Sequence, residues 1–142
     1  MLKLVYLTEE FYNDYSACEE IEKKVGRPYV RIHVVVGGVL WAIPFRSSIK
    51  HKNALWTDKD NRCGIDFSKA VAVADPERYI SDATPRMRPN EYKVFKTFDE
   101  HRVVTQMQKY IKEYKQAKQH LDVVRNREFV KYSTLQYFED YI

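Results

Sequence analysis

Residues 46–52 bring hydroxyl, amine, guanidinium and imidazole groups together, in the order Arg46, Ser47, Ser48, Ile49, Lys50, His51, Lys52. RNA breaks without a metal ion when its own 2′-hydroxyl attacks the adjacent phosphorus. That reaction needs a base, an acid and cations that stabilise the dianionic transition state, and this segment contains candidates for all three roles. We predict catalytic roles for Ser47, Ser48, Lys50 and His51, with Arg46 and Lys52 binding phosphate.

The same segment also has a non-catalytic interpretation. Serines are common in turns, and a run of charged side chains is typical of solvated surface. Composition alone leaves both interpretations open. A serine nucleophile is disfavoured because Ser47 and Ser48 lack the flanking glycines of a nucleophile elbow. The histidines show no metal-ligand spacing, so we predict no metal site and no cofactor; they are His33, His51, His101 and His120.

The chain has 142 residues, a length that suits a single domain spanning 1–142. Its formal net charge is +4, and residues 26–102 are the most basic part, with 14 Lys and Arg against 9 Asp and Glu. A basic surface favours a polyanionic partner, although a charge this modest also fits many ordinary proteins. Eleven Tyr and seven Phe provide rings that can stack on unpaired bases.

Targeting and redox features are sparse in the sequence. No apolar run approaches the roughly 20 residues that a membrane-spanning helix needs. The N-terminal region is acidic where a secretory signal would be basic. Cys18 and Cys63 lie far apart, which argues against a disulfide framework and a zinc site. We therefore expect a cytoplasmic protein that does not associate with membranes.

A β-hairpin is the clearest local prediction. Two β-branched and aromatic runs, residues 29–36 and 39–45, flank Gly37-Gly38, which is a two-residue turn signature. Folding the hairpin pairs four apolar couples on one face: Val36 with Val39, Val34 with Trp41, Ile32 with Ile43, and Val30 with Phe45. Alternation then places Tyr29 beside Arg46, Arg31 beside Pro44 and His33 beside Ala42 on a face that we expect to be polar, basic and aromatic. Pro44 cannot donate a ladder hydrogen bond, so we predict that its strand runs at an edge or bulges.

Other elements are predicted from periodicity and capping signals. We expect an opening strand near residues 2–7, then a helix capped by Thr8 that ends before Gly26. Residues 46–62 lack a regular period and are predicted to form a long loop, and residues 65–74 a further strand. An irregular basic connector holds Arg78, Arg86 and Arg88, with Asn90 as a candidate cap of a short helix. Helical spacing then predicts a long helix at about 99–121 and a closing helix over 129–141.

Several stretches together resemble the toxins of type III toxin–antitoxin systems, most closely the TenpN branch of the ToxN-like endoribonucleases. They are residues 3–8 (KLVYLT) with Phe11-Tyr12, residues 43–51 (IPFRSSIKH), 64–70 (GIDFSKA), 79–82 (YISD) and 132–138 (YSTLQYF). The resemblance spans nearly the whole chain in order. A hydroxyl pair followed two positions later by a lysine is typical of the ToxN branch, and Ser47, Ser48 and Lys50 match it.

The resemblance implies an α+β single domain, with a twisted antiparallel β-sheet around a barrel-like core flanked by helices. It implies metal-independent cleavage of RNA, leaving 2′,3′-cyclic phosphate and 5′-hydroxyl ends. The implied partner is a small, repeat-derived antitoxin RNA, pseudoknotted in form, which the toxin cuts and which then inhibits it in a closed toxin–RNA assembly; cellular or phage RNA is the implied substrate. Groove residues that would contact RNA are Tyr6, Tyr29, Arg31, Lys69, Arg86 and Arg88, beside Arg46 and Lys52.

Two alternatives remain open at this stage. The basic, aromatic face of the hairpin also suits a module that binds RNA without cutting it, with strongly salt-dependent affinity. A structural or protein-interaction domain is the third possibility. If RNA is cut in the presence of a chelator, the protein is an enzyme and not merely a binding module. The absence of salt-sensitive RNA binding would favour a structural or protein-interaction domain.

Overall fold

An antiparallel sheet and the helices packed beside it make up an α+β fold in the computed structural model, which describes residues 2–21 and 29–142. Within these ranges the strands are β1 (Lys3–Val5), β2 (Arg31–Val36), β3 (Val39–Arg46), β4 (Ala54–Asp58), β5 (Cys63–Asp66) and β6 (Val71–Ala72). The helices are α1 (Glu9–Asp14), α2 (Pro76–Tyr79), α3 (Pro89–Phe95), α4 (Glu100–Lys118) and α5 (Val124–Tyr132).

The sheet is open and does not close into the expected barrel-like core. Its strand order is β1-β2-β3-β5-β4, and β6 also pairs with β3. The hairpin register is confirmed for three of the predicted apolar couples and for Arg31 with Pro44 and His33 with Ala42. The fourth couple is joined by a backbone hydrogen bond from Phe45 N–H to Val30 O of 2.9 Å. The alternating sequence therefore specifies the frame on which the following residues are mounted.

Of the two alternatives predicted from Pro44, the edge strand is wrong, because β3 has partners on both sides. Phe45 N–H faces β2, so the adjacent position 44 directs its nitrogen to the opposite side. On that side β6 pairs with Trp41 and Ala42, whereas β5 pairs with Phe45 and Arg46. The residue without an amide hydrogen thus lies where one partner strand ends and the other begins.

The long loop predicted over residues 46–62 is only partly a loop, because β4 lies within it and pairs with β5. The predicted strand over residues 65–74 is also broken up. Its first residues belong to β5, a 3-10 turn follows at Phe67–Lys69, and β6 has only two residues. The chain thus folds back on itself twice before it rejoins β3.

The helices follow their capping signals with some shifts. Thr8 caps α1 as predicted, by accepting a hydrogen bond from Phe11 N–H, but α1 already ends at Asp14; the predicted end near Gly26 lies outside the described residues. Asn90 is not the cap of α3, since Pro89 takes the first helical position.

The closing helix is placed earlier than predicted: α5 ends at Tyr132, and the 3-10 turns Thr134–Tyr137 and Glu139–Tyr141 follow. The sequence reading missed α2, which Asp75 caps.

The core collects the apolar face of the hairpin, α1 and the buried stripe of α4, which is Val103, Met107, Tyr110, Tyr114 and Ala117. The second hairpin face, which we expected to be polar, basic and aromatic, is partly buried. Ala42 is fully buried there, and Arg31 is only 2% exposed. None of the helices in the described ranges is long and apolar enough to cross a membrane.

Candidate functional site

The turn formed by residues 47–51 leaves β3 with its side chains divided between two directions. Ser47, Ser48 and Lys50 are exposed, whereas Ile49 is 1% exposed and anchors the turn in the protein. Ser48 has φ of 55°, the left-handed region that a residue with a Cβ atom seldom occupies. The turn is therefore a defined structure, and it presents two hydroxyls and an amine to solvent.

Arg62 holds this turn from the β4–β5 connection. Its backbone oxygen accepts a hydrogen bond of 3.1 Å from Ile49 N–H, and its Nε donates to Ile49 O. Nη2 of the same side chain donates to His51 O at 2.8 Å. The guanidinium also lies over the ring of Trp56, at 4.8 Å from the ring centre. One side chain thus fixes two carbonyl groups of the turn.

Asp66 lies beneath the turn and is fully buried. Its Oδ2 accepts a hydrogen bond of 2.7 Å from Arg46 Nη1. Its Oδ1 accepts from Ser68 N–H at 2.9 Å and from the Ser68 hydroxyl at 2.6 Å, and lies 3.1 Å from His51 Nε2. A buried carboxylate requires such partners to offset its desolvation. We call Arg46, His51, Asp66 and Ser68 the Asp66 network.

The Asp66 network keeps its carboxylate ionised. Burial alone would raise the pKa of the Asp66 carboxyl, but hydrogen bonding to His51, the charge of His51, and hydrogen bonds from Ser68 and Arg46 act in the opposite direction. The net result is a pKa below the ordinary value for aspartic acid. A negative charge therefore remains fixed behind Arg46 and His51.

His51 is engaged through both ring nitrogens. Nδ1 accepts a hydrogen bond of 3.0 Å from Asn53 N–H, which assigns the ring hydrogen of a neutral imidazole to Nε2. Nε2 lies 3.1 Å from both Asp66 Oδ1 and Ser68 Oγ. In this arrangement His51 ties the turn to the Asp66 network, and neither nitrogen is directed to an incoming substrate.

A cleft of about 240 Å³ opens beside the start of the turn. It is lined by Tyr6, Tyr29, Val30, Phe45, Arg46, Ser47, Arg86, Met87, Arg88 and Glu91. Three arginines face a single carboxylate there, and two tyrosines provide aromatic surface. We call it the arginine cleft, after Arg46, Arg86 and Arg88. Its chemistry suits a phosphate joined to a base or a ribose.

Several contacts hold the walls of the arginine cleft. Arg86 N–H donates a hydrogen bond of 2.8 Å to the Tyr6 hydroxyl, which links the connector to the end of β1. Arg88 Nη2 lies 3.7 Å from Glu91 Oε2 in the first turn of α3. Arg46 is oriented by the buried Asp66, with its own side chain 22% exposed. Segments distant in sequence are thereby brought to one surface.

The other predicted RNA contacts lie elsewhere. Arg31 is buried, and its Nη1 lies 3.5 Å from the carbonyl oxygens of Ala42 and Lys69, so it is unavailable to a ligand in this arrangement. Lys69 donates to Tyr132 O at 3.0 Å and lies 3.7 Å from Glu20. Both cations bind carbonyl groups of the fold instead of facing the arginine cleft.

Lys52 belongs to a second cleft, of about 510 Å³, between β4 and the first half of α4. We call it the lysine cleft and define it by Lys52, Trp56, Phe98, Arg102, Gln106 and Lys109. Ser47 lines the arginine cleft and Lys52 lines the lysine cleft, so the turn of residues 47–51 lies between them.

The sequence reading missed Arg62, Asp66 and Ser68. No spacing rule marks a carboxylate such as that of Asp66 for burial. Its position before a serine does match an Asx turn, since Asp66 accepts from Ser68 N–H. In the described ranges, no group of three or more His, Cys, Asp or Glu side chains is arranged to hold a metal ion.

Comparisons of this chain with protein-family models, with curated proteins and with solved structures returned no match.

Proposed function

We propose that this protein is a metal-independent endoribonuclease, the toxin of a type III toxin–antitoxin system. The observation that supports this best is the arginine cleft, where Arg46, Arg86 and Arg88 lie with Tyr6 and Tyr29 beside Ser47. Cations and rings together suit a ribose-phosphate chain with unpaired bases. The resemblance of residues 43–51 to the ToxN-like toxins points to the same activity.

The proposed reaction is an internal transesterification of RNA. The 2′-oxygen forms a bond to the adjacent phosphorus while the bond from phosphorus to the 5′-oxygen breaks. The 2′-hydroxyl proton leaves to a base, and the departing 5′-oxygen receives a proton from an acid. The products are a 2′,3′-cyclic phosphate and a 5′-hydroxyl, and no water is consumed.

The proposed residue roles draw on the side chains of the turn and on Arg46. The exposed Lys50 would stabilise the dianionic transition state and protonate the 5′-oxygen, and Ser47 and Ser48 would hydrogen-bond the scissile phosphate or ribose. Arg46, held by Asp66, would bind phosphate in a fixed orientation. His51 would accept the 2′-hydroxyl proton only after its bond from Asn53 N–H opens.

The proposed partner is an RNA antitoxin. A repetitive transcript would be cut by the toxin into folded, pseudoknotted units that then occupy the arginine cleft, so that one closed toxin–RNA assembly contains both processed RNA and inhibited enzyme. Cellular or phage RNA would be the substrate once the antitoxin is lost. A cytoplasmic location belongs to this proposal, because substrate and inhibitor are both intracellular RNAs.

The test is cleavage of total RNA from the expression host in excess chelator. We expect new ends that a kinase labels without prior phosphatase treatment, as 5′-hydroxyls are, and cyclic phosphates detected by mass spectrometry. Lys50→Ala should slow cleavage by about 10²–10³-fold, in line with loss of one charge-stabilising group. Expression should arrest growth, and co-expression of the cognate repeat RNA should restore it.

Lys59→Ala is the matched control, because Lys59 is an exposed lysine in the β4–β5 connection outside the turn. It should cut RNA at the wild-type rate. Full-rate cleavage by Lys50→Ala would refute the role given to Lys50. Cleavage that requires added divalent metal would refute the reaction class.

A second candidate is a module that binds RNA in the arginine cleft without cutting it. One observation favours it: both nitrogens of His51 are occupied within the protein, which leaves the turn without a free imidazole. This function predicts salt-dependent binding with the RNA intact after long incubation. The chelator experiment separates the two functions directly.

A further inference from the structure

We propose that the lysine cleft binds a single-stranded stretch of the same RNA, on the far side of the scissile phosphate from the arginine cleft. The proposal rests on the proposed function and extends it to a second binding surface. The turn of residues 47–51 joins the two clefts, since Ser47 lines one and Lys52 lines the other. A strand whose scissile phosphate lies at the turn therefore has one cleft near each end of the turn.

The charge of the lysine cleft suits a polyanion. Lys52, Arg102 and Lys109 line it together with one carboxylate, that of Glu113, and all three cations are exposed. Arg102, Gln106 and Lys109 are spaced four and three residues apart on α4, so they share one face of that helix. Phosphate groups along a strand would displace counterions from this row.

Aromatic surface distinguishes this cleft from a simple cationic patch. Trp56, Phe67 and Phe98 contribute to its walls, and Trp56 is partly exposed. The Trp56 ring is already oriented by the guanidinium of Arg62 at 4.8 Å, and Arg62 also holds the turn. Rings interleaved with cations bind unpaired bases with little sequence preference, so the fitting ligand is single-stranded RNA and not an acidic peptide.

The remaining lysines of α4 provide an internal comparison. Lys112 and Lys115 are exposed and do not line the cleft, and Lys118 pairs with Glu139 at 2.8 Å. Among the four lysines of α4, Lys109 alone lines the lysine cleft, together with Arg102.

The binding test uses Lys50→Ala protein, so that the RNA stays intact, with short and long oligouridylates as probes. Arg102→Glu with Lys109→Glu should weaken binding of the long probe by about tenfold or more and reduce the slope of affinity against salt. The short probe, which fills the arginine cleft alone, should bind as before. Lys112→Glu with Lys115→Glu makes the same charge change on the same helix and should alter affinity by less than about twofold.

Tryptophan fluorescence gives a second readout that is specific for the cleft. The chain has two tryptophans, and Trp41 is fully buried, so quenching by bound bases reports on Trp56. The long probe should quench emission, and Trp56→Phe should abolish that change while circular dichroism confirms the fold.

Three outcomes would overturn the proposal for the lysine cleft, and they differ in what they imply for the proposed function. Equal affinity of the two double variants for the long probe, together with RNA cleavage by the protein that retains Lys50, overturns this inference and leaves the proposed function intact. Quenching by polyglutamate that the Arg102→Glu, Lys109→Glu variant loses would assign the cleft to an acidic peptide and also overturn it. Wild-type protein that neither binds nor cuts RNA would refute the proposed function together with this inference.

Discussion

The two sides of the turn of residues 47–51 differ in solvent exposure and in hydrogen bonding. On the outer side Ser47, Ser48 and Lys50 are exposed. On the inner side Ile49 is buried, and His51 has hydrogen-bond partners at both ring nitrogens. Three of the four groups proposed to act on RNA thus face solvent, while Ile49 and His51 fasten the backbone.

Within this short segment, the exposed side chains are thus different residues from those that hold the backbone in place. Arg62 and Asp66 hold the turn from the β4–β5 connection and from β5, respectively. Preorganised groups lose little freedom when a ligand binds. We therefore expect inner substitutions to lower stability and activity together, and outer substitutions to lower activity alone.

The largest expected effect is that of Asp66→Ala, which removes the charge beneath the turn. Arg46, His51 and Ser68 would lose their shared acceptor, and the free energy of unfolding should fall by about 3 kcal/mol, as in other buried ion pairs that lose one partner. Urea denaturation followed by circular dichroism measures it. Asp58→Ala is the control, because Asp58 is an exposed carboxylate whose hydrogen bonds are local, to Asp60 and Asn61. A loss no larger than that of the control would show that the inner side does not stabilise the fold.

Gly64→Ala should have the next largest effect. A Cβ atom at this position would lie 2.3 Å from Leu55 O and 2.9 Å from Trp56 Cα, so β4 would have to move away from β5. We expect a loss of about 2–3 kcal/mol in the free energy of unfolding, typical of severe overpacking. Gly37→Ala meets no atom within 4 Å and carries only the cost of its positive φ, about 1 kcal/mol. Equal losses in the two variants would contradict the close approach of β4.

Acid should weaken the inner side selectively. The pKa of the Asp66 carboxyl is lowered in the folded protein, so on acidification the unfolded chain takes up this proton first. The contribution of Asp66 to stability is complete above its unfolded pKa of about 4 and is lost as pH falls through the lower, folded value. Urea midpoints measured between pH 6 and pH 2.5 should fall more steeply for the wild type than for Asp66→Asn. Parallel curves would count against the lowered pKa.

Ser48→Gly should have the smallest effect on stability. Relief of the left-handed strain, about 1–2 kcal/mol, opposes the entropy cost of glycine, about 0.5–1 kcal/mol. The free energy of unfolding should therefore stay within about 1 kcal/mol of the wild type, while cleavage of RNA in chelator falls at least tenfold through loss of the hydroxyl. Unchanged cleavage would remove Ser48 from the proposed chemistry.

The hairpin was predictable because two β-branched and aromatic runs flank a Gly-Gly turn that fixes the register. The strand β4 was not, since Ala54, Leu55 and Trp56 stand between polar and charged runs and pair only with β5. Six of the predicted site residues do line one cleft; they are Tyr6, Tyr29, Arg46, Ser47, Arg86 and Arg88.

The sequence alone does not show which lysine and arginine side chains face a ligand and which bind groups of the fold. Arg31 and Lys69 are as basic as Arg86, yet both reach carbonyl oxygens of the fold. Asp66 could not be predicted either, because its burial depends on Arg46 and His51 arriving from another strand and from the turn. Such partnerships depend on tertiary contacts that no local pattern records.

The break in pairing at Pro44 has a consequence for how this fold can diversify. Because β3 changes neighbours there, the excursion from β3 through β4 and β5 to β6 is an insert between two separate pairings. The pairings of β1 with β2, of β2 with β3 and of β3 with β6 do not involve β4 or β5, so we expect them to keep their register when the length of that insert changes. We therefore expect the excursion to be replaceable as a unit, with a different turn and different buried supports on the same frame.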